Sequence, residues 1–217
     1  MKFFESSSVF NYSWDQVAQS FWCRYPNPFS THVLSEDTVF RQVDSKGQLR
    51  SLRLLTKTNL PPKWGEHVVS NRTVKIIEES VVDPKTKTMT TYTRNIGYTK
   101  VMSITEKVVY RQSSESSNQT VAERTAWIDS QVFGLSRPIQ AFGLERFKKN
   151  CVKAENGFHH VLNLMFPGHL APAVVHTHKH SVLSEQKEKL RESAKRATEM
   201  AKAKARPVVA ACQPEVE

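Results

Sequence analysis

Six stretches of alternating apolar and polar residues, rich in β-branched side chains, follow one another between Val39 and Ser130 of this 217-residue chain. They read "VFRQV", "QLRSLRLLTK", "TVKIIEESVVD", "TMTTYTRNI", "KVMSITEKVVYRQ" and "TVAERTAWIDS". Period-two alternation puts one set of side chains on each face of a strand, so each stretch predicts a strand with one face turned inward. Polar links, "DSKG", "DPKTK" and "SSESSN", supply turn formers between several of them. Parallel pairing would need crossovers of a dozen residues or more, so strands joined this closely must pair antiparallel. "KFFESSSVF" near the N-terminus is a candidate seventh strand.

Helical patterns flank this meander. Ser13 with Gln16 three residues later is a capping box, and Trp14, Val17 and Phe21 then share one helical face. In "RYPNPF", residues 24–29, Tyr25-Pro26 must end that helix, because proline fixes φ and biases its predecessor away from helix. Arg24 is thereby fixed in the last turn, where it needs an anionic partner. Ser136-Arg137-Pro138 starts a second helix that runs to about Phe166, with Phe147, Cys151, Ala154, Phe158, Val161 and Met165 in one apolar stripe. A curved antiparallel sheet with one long helix across its concave face follows, an α+β fold able to hold a cavity. Residues 1–170 form the folded domain in this reading, 171–183 a breaker-rich linker, and 184–217 a basic tail, helix-prone at first and almost wholly polar to residue 206.

Charge narrows the partners. The chain carries +10, and the segment 185–206, with eight Lys/Arg against four Glu, accounts for the smaller part of it. A basic body favours nucleic acid, acidic lipid or phosphate ligands. Cys23, Cys151 and Cys212 are scattered, which argues against a disulfide framework or a zinc site. No run reaches the ~18 apolar residues of a membrane span, and "MKFFESSSVF" shows no presequence pattern. Sequons at Asn11, Asn71 and Asn118 read as chance. Phosphate-loop, dinucleotide, zinc-protease and serine-hydrolase motifs are all missing, so no enzyme chemistry and no cofactor are expected. "HTHKH", His176 to His180, reads as a solvated run rather than a metal site, and the adjacent His159 and His160 cannot chelate from one helix face.

Two features remain for binding. Arg146, Asn150 and Lys153 are spaced i, i+4, i+7 along the long helix, a narrow stripe roughly 90° from the apolar one. Such a stripe can rim a cavity or can be a solvated flank, and the residues alone leave both open. The segment Thr56 to Asn71, "TKTNLPPKWGEHVVSN", is too long for a tight hairpin and suits a lid or binding loop. Pro61 and Pro62 stiffen it, Gly65 can hinge it, and Trp64 is an amphipathic ring suited to a membrane interface or to packing on the sheet.

"RYPNPFSTHVLSEDTVFRQV", "RLLTKT…LPPKW", "SVVDPKTKTMTTYTRNI" and "FGLERFKKNCVKAENGF" together resemble the PRELI domain over roughly residues 1–166, and its phosphatidic-acid-transferring branch more than the slowmo branch. The resemblance implies a START-like fold: a curved seven-stranded sheet, helices over it, and a lipid pocket closed by an Ω-loop that carries Pro61, Pro62, Trp64 and Gly65. It implies a carrier of the mitochondrial intermembrane space that moves phosphatidic acid from outer to inner membrane for cardiolipin synthesis. It further implies a small twin C-x9-C partner protein and transient contact with anionic membranes, and no nucleic acid. Family phosphate-contacting positions fall on Arg24, Lys57, Arg146, Asn150 and Lys153, with His32 at a pocket position; relatives commonly have lysine where Arg146 stands. The tail resembles the late-embryogenesis-abundant-like tail of animal PRELI proteins. Competing readings are a carrier of phosphatidylserine or of phospholipids less selectively, an enzyme in a START-like fold, and a basic RNA-binding protein.

Overall fold

The computed structural model describes residues 1–59 and 72–168. Seven strands form one antiparallel sheet: β1 (Lys2–Phe10), β2 (Val33–Val43), β3 (Leu49–Thr58), β4 (Thr73–Asp83), β5 (Thr88–Asn95), β6 (Ser103–Gln112) and β7 (Thr120–Asp129). Their order is β1-β7-β6-β5-β4-β3-β2, so six strands meander and "KFFESSSVF" closes the series beside β7. Helix α1 (Trp14–Ser20), a 3-10 turn (Phe21–Cys23) and the 30-residue α2 (Ser136–Met165) are the helical elements among the described residues. The curved seven-stranded α+β architecture read from the sequence is the one observed. The expected lid residues Pro61, Pro62, Trp64 and Gly65 lie outside the described residues, as do "HTHKH" and the whole tail.

Local chemistry explains the turns. Asp44 Oδ1 accepts from the backbone of Lys46 and Gln48, and Gly47 takes φ +80, closing β2 onto β3. Asp83 Oδ1 does the same for Lys85 and Thr86 between β4 and β5. Strand β2 begins at Val33, six residues before the expected Val39. Its first half, "VLSEDT", lacks apolar alternation because β2 is an edge strand that is exposed over most of its length.

The capping box forms in full at Ser13 and Gln16. After Ser20 the chain tightens into a 3-10 turn, Phe21–Cys23, capped by Arg24, and the Tyr25-Pro26 bond is cis. Two buried apolar clusters separate along α2. One joins Trp14, Val17 and Phe21 to Met89, Tyr110, Phe158 and Leu162; the other joins Phe4, Ala126 and Ile128 to Phe147 and Cys151. A fully buried side chain such as Phe21 contributes about 1.5–3 kcal/mol. Of the expected stripe, Phe147, Cys151, Phe158 and Val161 are buried and Ala154 is half-buried, whereas Met165 is exposed; Leu162 and Phe166 make the inward contacts in the last turn.

Glycine decides how closely α2 approaches. A Cβ at Gly157 would stand 2.5 Å from Asn27 Oδ1. Asn27 is buried, its Nδ2 donates to the Arg24 carbonyl at 2.6 Å, and its Oδ1 accepts from the Phe29 backbone. The "RYPNPF" turn is therefore seated on α2 through Asn27, and that contact fixes where Arg24 begins.

Candidate functional site

Arg24 points at Glu78. Its Nη2 donates to Glu78 Oε2 at 2.7 Å, its Nε donates to the Phe21 carbonyl, and its guanidinium lies 3.8 Å from the Phe21 ring centre. Burial opposes the Arg24 charge, but the Glu78 carboxylate more than offsets this and holds the proton more tightly than usual. Antiparallel register sets Arg53 of β3 directly opposite Glu78 of β4. Arg53 is 1 % exposed; its Nε donates to Glu78 Oε1 at 2.9 Å, its Nη2 donates to the same oxygen, and its Nη1 donates to Glu36 Oε1 on β2. Four charged side chains from four segments thus form one closed network, two cations against two carboxylates. Burial opposes the Glu78 charge, yet Arg24 and Arg53 keep its carboxyl below the ordinary range; burial pushes Glu36 the other way.

The network extends across the sheet's inner face. Glu78 faces Thr93 of β5, Thr93 donates to Glu106 of β6 at 3.0 Å, and Glu106 pairs with Arg124 of β7 at 2.6 Å. A charged row through a buried face is costly unless its charges are paired, and Arg24, Arg53, Glu78, Glu106 and Arg124 each have an ion-pair partner here. Glu36 Oε2 and Ser80 Oγ, both beside the row, are buried without a hydrogen-bond partner among the described residues. Burial pushes the Cys151 thiol up to about 12, which keeps it protonated and unreactive at neutral pH.

A second group surrounds His32. Its carbonyl accepts from the Thr58 backbone at 2.8 Å, and its neighbour Val33 pairs with Lys57, so His32 lies at the end of β3 where Lys57 stands. His32 is half-buried and its imidazole is held below the usual 6.5, first by burial and then by the positive charges of Lys57, Lys153 and Arg146. The fold therefore brings Lys57 of β3 and the α2 cations Arg146 and Lys153 to bear on one histidine. Arg146 is half-buried, which lowers its own proton affinity; Asn150 and Lys153 are exposed in the same stripe. Residues 53, 55 and 57 share one face of β3, so the Arg53–Glu78 network and Lys57 lie about 13 Å apart along the strand. Arg24 thus belongs to a charge-balanced group, and Lys57, Arg146 and Lys153 to a second group around His32.

Protonated His32 is disfavoured in this fold. Its contribution to stability is present above the unfolded-state value near 6.5 and lost as pH falls through the lowered folded value. Lys153→Gln should raise the His32 pKa toward the ordinary value without reaching it, since burial is the larger cause. A proton NMR titration of the imidazole checks this; an unchanged midpoint would mean that Lys153 does not act at this site.

Comparisons with known proteins agree with this architecture. The model of the PRELI-like family matches residues 15–167. Bovine "PRELI domain-containing protein 1, mitochondrial" is 48 % identical over 165 residues, 75 % of each chain. Baker's yeast "Protein UPS1, mitochondrial" is 35 % identical over 159 residues, 73 % of this chain and 91 % of that one. Among solved structures, the protein TTHA0849 from Thermus thermophilus superposes with a TM-score of 0.53 at 10 % identity, covering 76 % of this chain and 99 % of that one; the likeness concerns fold alone.

Proposed function

We propose a function from one premise: the chain belongs to the PRELI-like family. The protein is a lipid transfer protein that carries phosphatidic acid from the outer to the inner mitochondrial membrane and so supplies cardiolipin synthesis. Relatives named as mitochondrial support the compartment, and the family resemblance assigns it to the intermembrane space, in complex with a small twin C-x9-C protein. Residues 1–170 are the lipid-binding domain in this reading, 171–183 a linker and 184–217 a tail for transient contact with anionic membrane. The cargo is released unchanged, so no catalytic residue is assigned.

One observation carries the choice of headgroup: Lys57, Arg146 and Lys153 all press on His32 from two elements. Cations that act on one imidazole also act on one another, and an anion among them relieves that repulsion. A phosphomonoester carries between one and two negative charges near neutral pH and offers oxygens suited to charge-assisted donors. Asn150 adds an amide to the same stripe. Withdrawing two acyl chains of ~30 methylenes from a bilayer costs ~24 kcal/mol unless they are buried again, at ~0.8 kcal/mol each. In this reading a pocket of the domain buries the chains again, with Pro61, Pro62, Trp64 and Gly65 assigned to the lid.

Transfer between labelled vesicles containing equal phosphatidic acid and phosphatidylcholine tests the reading. The expected outcome is strong preference for phosphatidic acid, because a cationic site offers no cage for a quaternary ammonium. Equal transfer of the two lipids would refute the headgroup assignment. Efficient transfer of phosphatidylserine would favour the less selective carrier.

A further inference from the structure

We propose that the β5–β6 loop and the β7–α2 loop form a docking foot that seats on an anionic bilayer, with Phe133 inserted among the lipids and Lys100 and Arg137 against their headgroups. The inference goes beyond the cargo reading above, since it concerns the surface on which the protein lands. Phe133 is fully exposed, and Leu135 and Ile96 are about half exposed. Local structure holds them out. The Leu135 N–H donates to the Val132 carbonyl at 3.2 Å, Ser136 Oγ donates to the same carbonyl at 2.7 Å, and Gly134 takes φ +73. Phe133 therefore stands at the corner of a closed turn. In the other loop, Asn95 Nδ2 donates to the Gly97 and Met102 carbonyls while its Oδ1 accepts from the Ile104 backbone. The Gln131 N–H donates to the Lys100 carbonyl at 2.9 Å and ties the two loops together. A Cβ added at Gly97 or at Gly134 would meet no described atom within 4 Å, so both loops face open space.

Charge and area choose the occupant. Residues 96–102 and 130–137 carry Lys100 and Arg137, both exposed, and no Asp or Glu. The Asp129 carboxylate at the root of the second loop is already engaged, by Gln140 at 3.1 Å and the N-terminal amine at 3.2 Å. Apolar tips flanked by cations match a bilayer with acidic headgroups, where a ring enters the interface and Lys or Arg stays at headgroup level. An exposed phenylalanine offers about 150–250 Å², and two half-exposed aliphatic side chains add less than that again. A specific protein interface needs about 800 Å² on each side. Two narrow tips are too small for such an interface and suit a transient hold on lipid. Register fixes what the foot orients. Lys57 lies opposite Val74, Ile76 opposite Asn95, and Ser103 opposite Asp129, so both loops leave the end of the sheet that carries Lys57. A protein standing on these loops turns that end toward the bilayer.

Flotation of the full chain with vesicles of phosphatidylserine in phosphatidylcholine tests the foot. No phosphatidic acid is present, so the outcome is independent of the headgroup reading. Phe133→Ser should weaken association by on the order of tenfold, the effect of withdrawing one aromatic ring from lipid. It should melt like wild type, because the side chain it shortens is fully exposed. Phe133→Trp should associate as wild type does, since an indole suits the same interface. Lys100→Gln/Arg137→Gln should reduce the preference for phosphatidylserine vesicles over pure phosphatidylcholine, with the difference from wild type shrinking as salt rises. Unchanged association of Phe133→Ser would overturn the proposal and leave membrane contact to other segments. Equal loss in Phe133→Ser and Phe133→Trp would overturn it as well, because a ring that merely inserts tolerates that exchange. A pull-down of the small cysteine-rich partner by the same variants supplies the last outcome: lost partner binding with intact flotation would assign the loops to a protein and refute the foot. Equal transfer of phosphatidic acid and phosphatidylcholine, which refutes the cargo reading, would leave a positive flotation result standing.

Discussion

Lys153→Glu is expected to stop phosphatidic acid transfer while moving the melting temperature by no more than about 2 °C, the ordinary range for an exposed position. Lys153 is exposed on α2 and acts on His32. Reversing its sign replaces attraction for the phosphate with repulsion without disturbing a packed group. Arg24→Glu should also abolish transfer, but for mixed reasons. The new carboxylate would lie against buried Glu78, and breaking a buried pair costs about 3–5 kcal/mol, so loss of fold and loss of function would arrive together. Lys153 is therefore the cleaner probe of the site, with partner pull-down and thermal melting run alongside vesicle transfer. Full transfer by a folded Lys153→Glu protein would remove α2 from the headgroup site.

The contrast between these two residues marks how far the sequence could be read. Strand alternation, the Asp44 and Asp83 turns and the Ser13 capping box are local signals, and each formed as the residues predict. The cation stripe on α2 was legible because helical spacing alone aligns Arg146, Asn150 and Lys153. Its meeting with Lys57 and His32 was not, since nothing local relates residue 57 to residue 153. The buried network was the larger omission. Arg53 opposes Glu78 only through the β3–β4 register, which depends on a loop whose length conceals it. A signal did exist: Arg53 and Glu78 occupy the inward parity of their strands, between Ser51 and Leu55 and between Ile76 and Ser80. Two inward charges of opposite sign on adjacent strands suggest a buried pair, and Arg24 then finds its partner inside the protein before any ligand arrives.

Arg53→Ala should strongly destabilise the domain while leaving the α2 stripe untouched. It removes a 1 %-exposed guanidinium that serves both Glu78 and Glu36 and lies 4.8 and 5.0 Å from the ring centres of Phe21 and Trp22. The loss is about 3–5 kcal/mol, roughly 10 °C or more in melting temperature for a domain of this size. Two causes compete for it, the stranded carboxylates and the cavity between the rings, and pH separates them. In the wild type, Glu78 has a folded-state pKa below its unfolded value near 4.5; its contribution is present above that value and lost as pH falls through the folded one. In Arg53→Ala, Glu36 loses its main cation and Glu78 keeps only Arg24, so burial weighs more on both carboxylates and protonation relieves part of the strain. The deficit of the variant relative to wild type should therefore narrow as pH falls from 7 toward 4. A cavity does not titrate: a deficit that stays constant over that range would assign Arg53 to packing and leave the ionic row as a bystander.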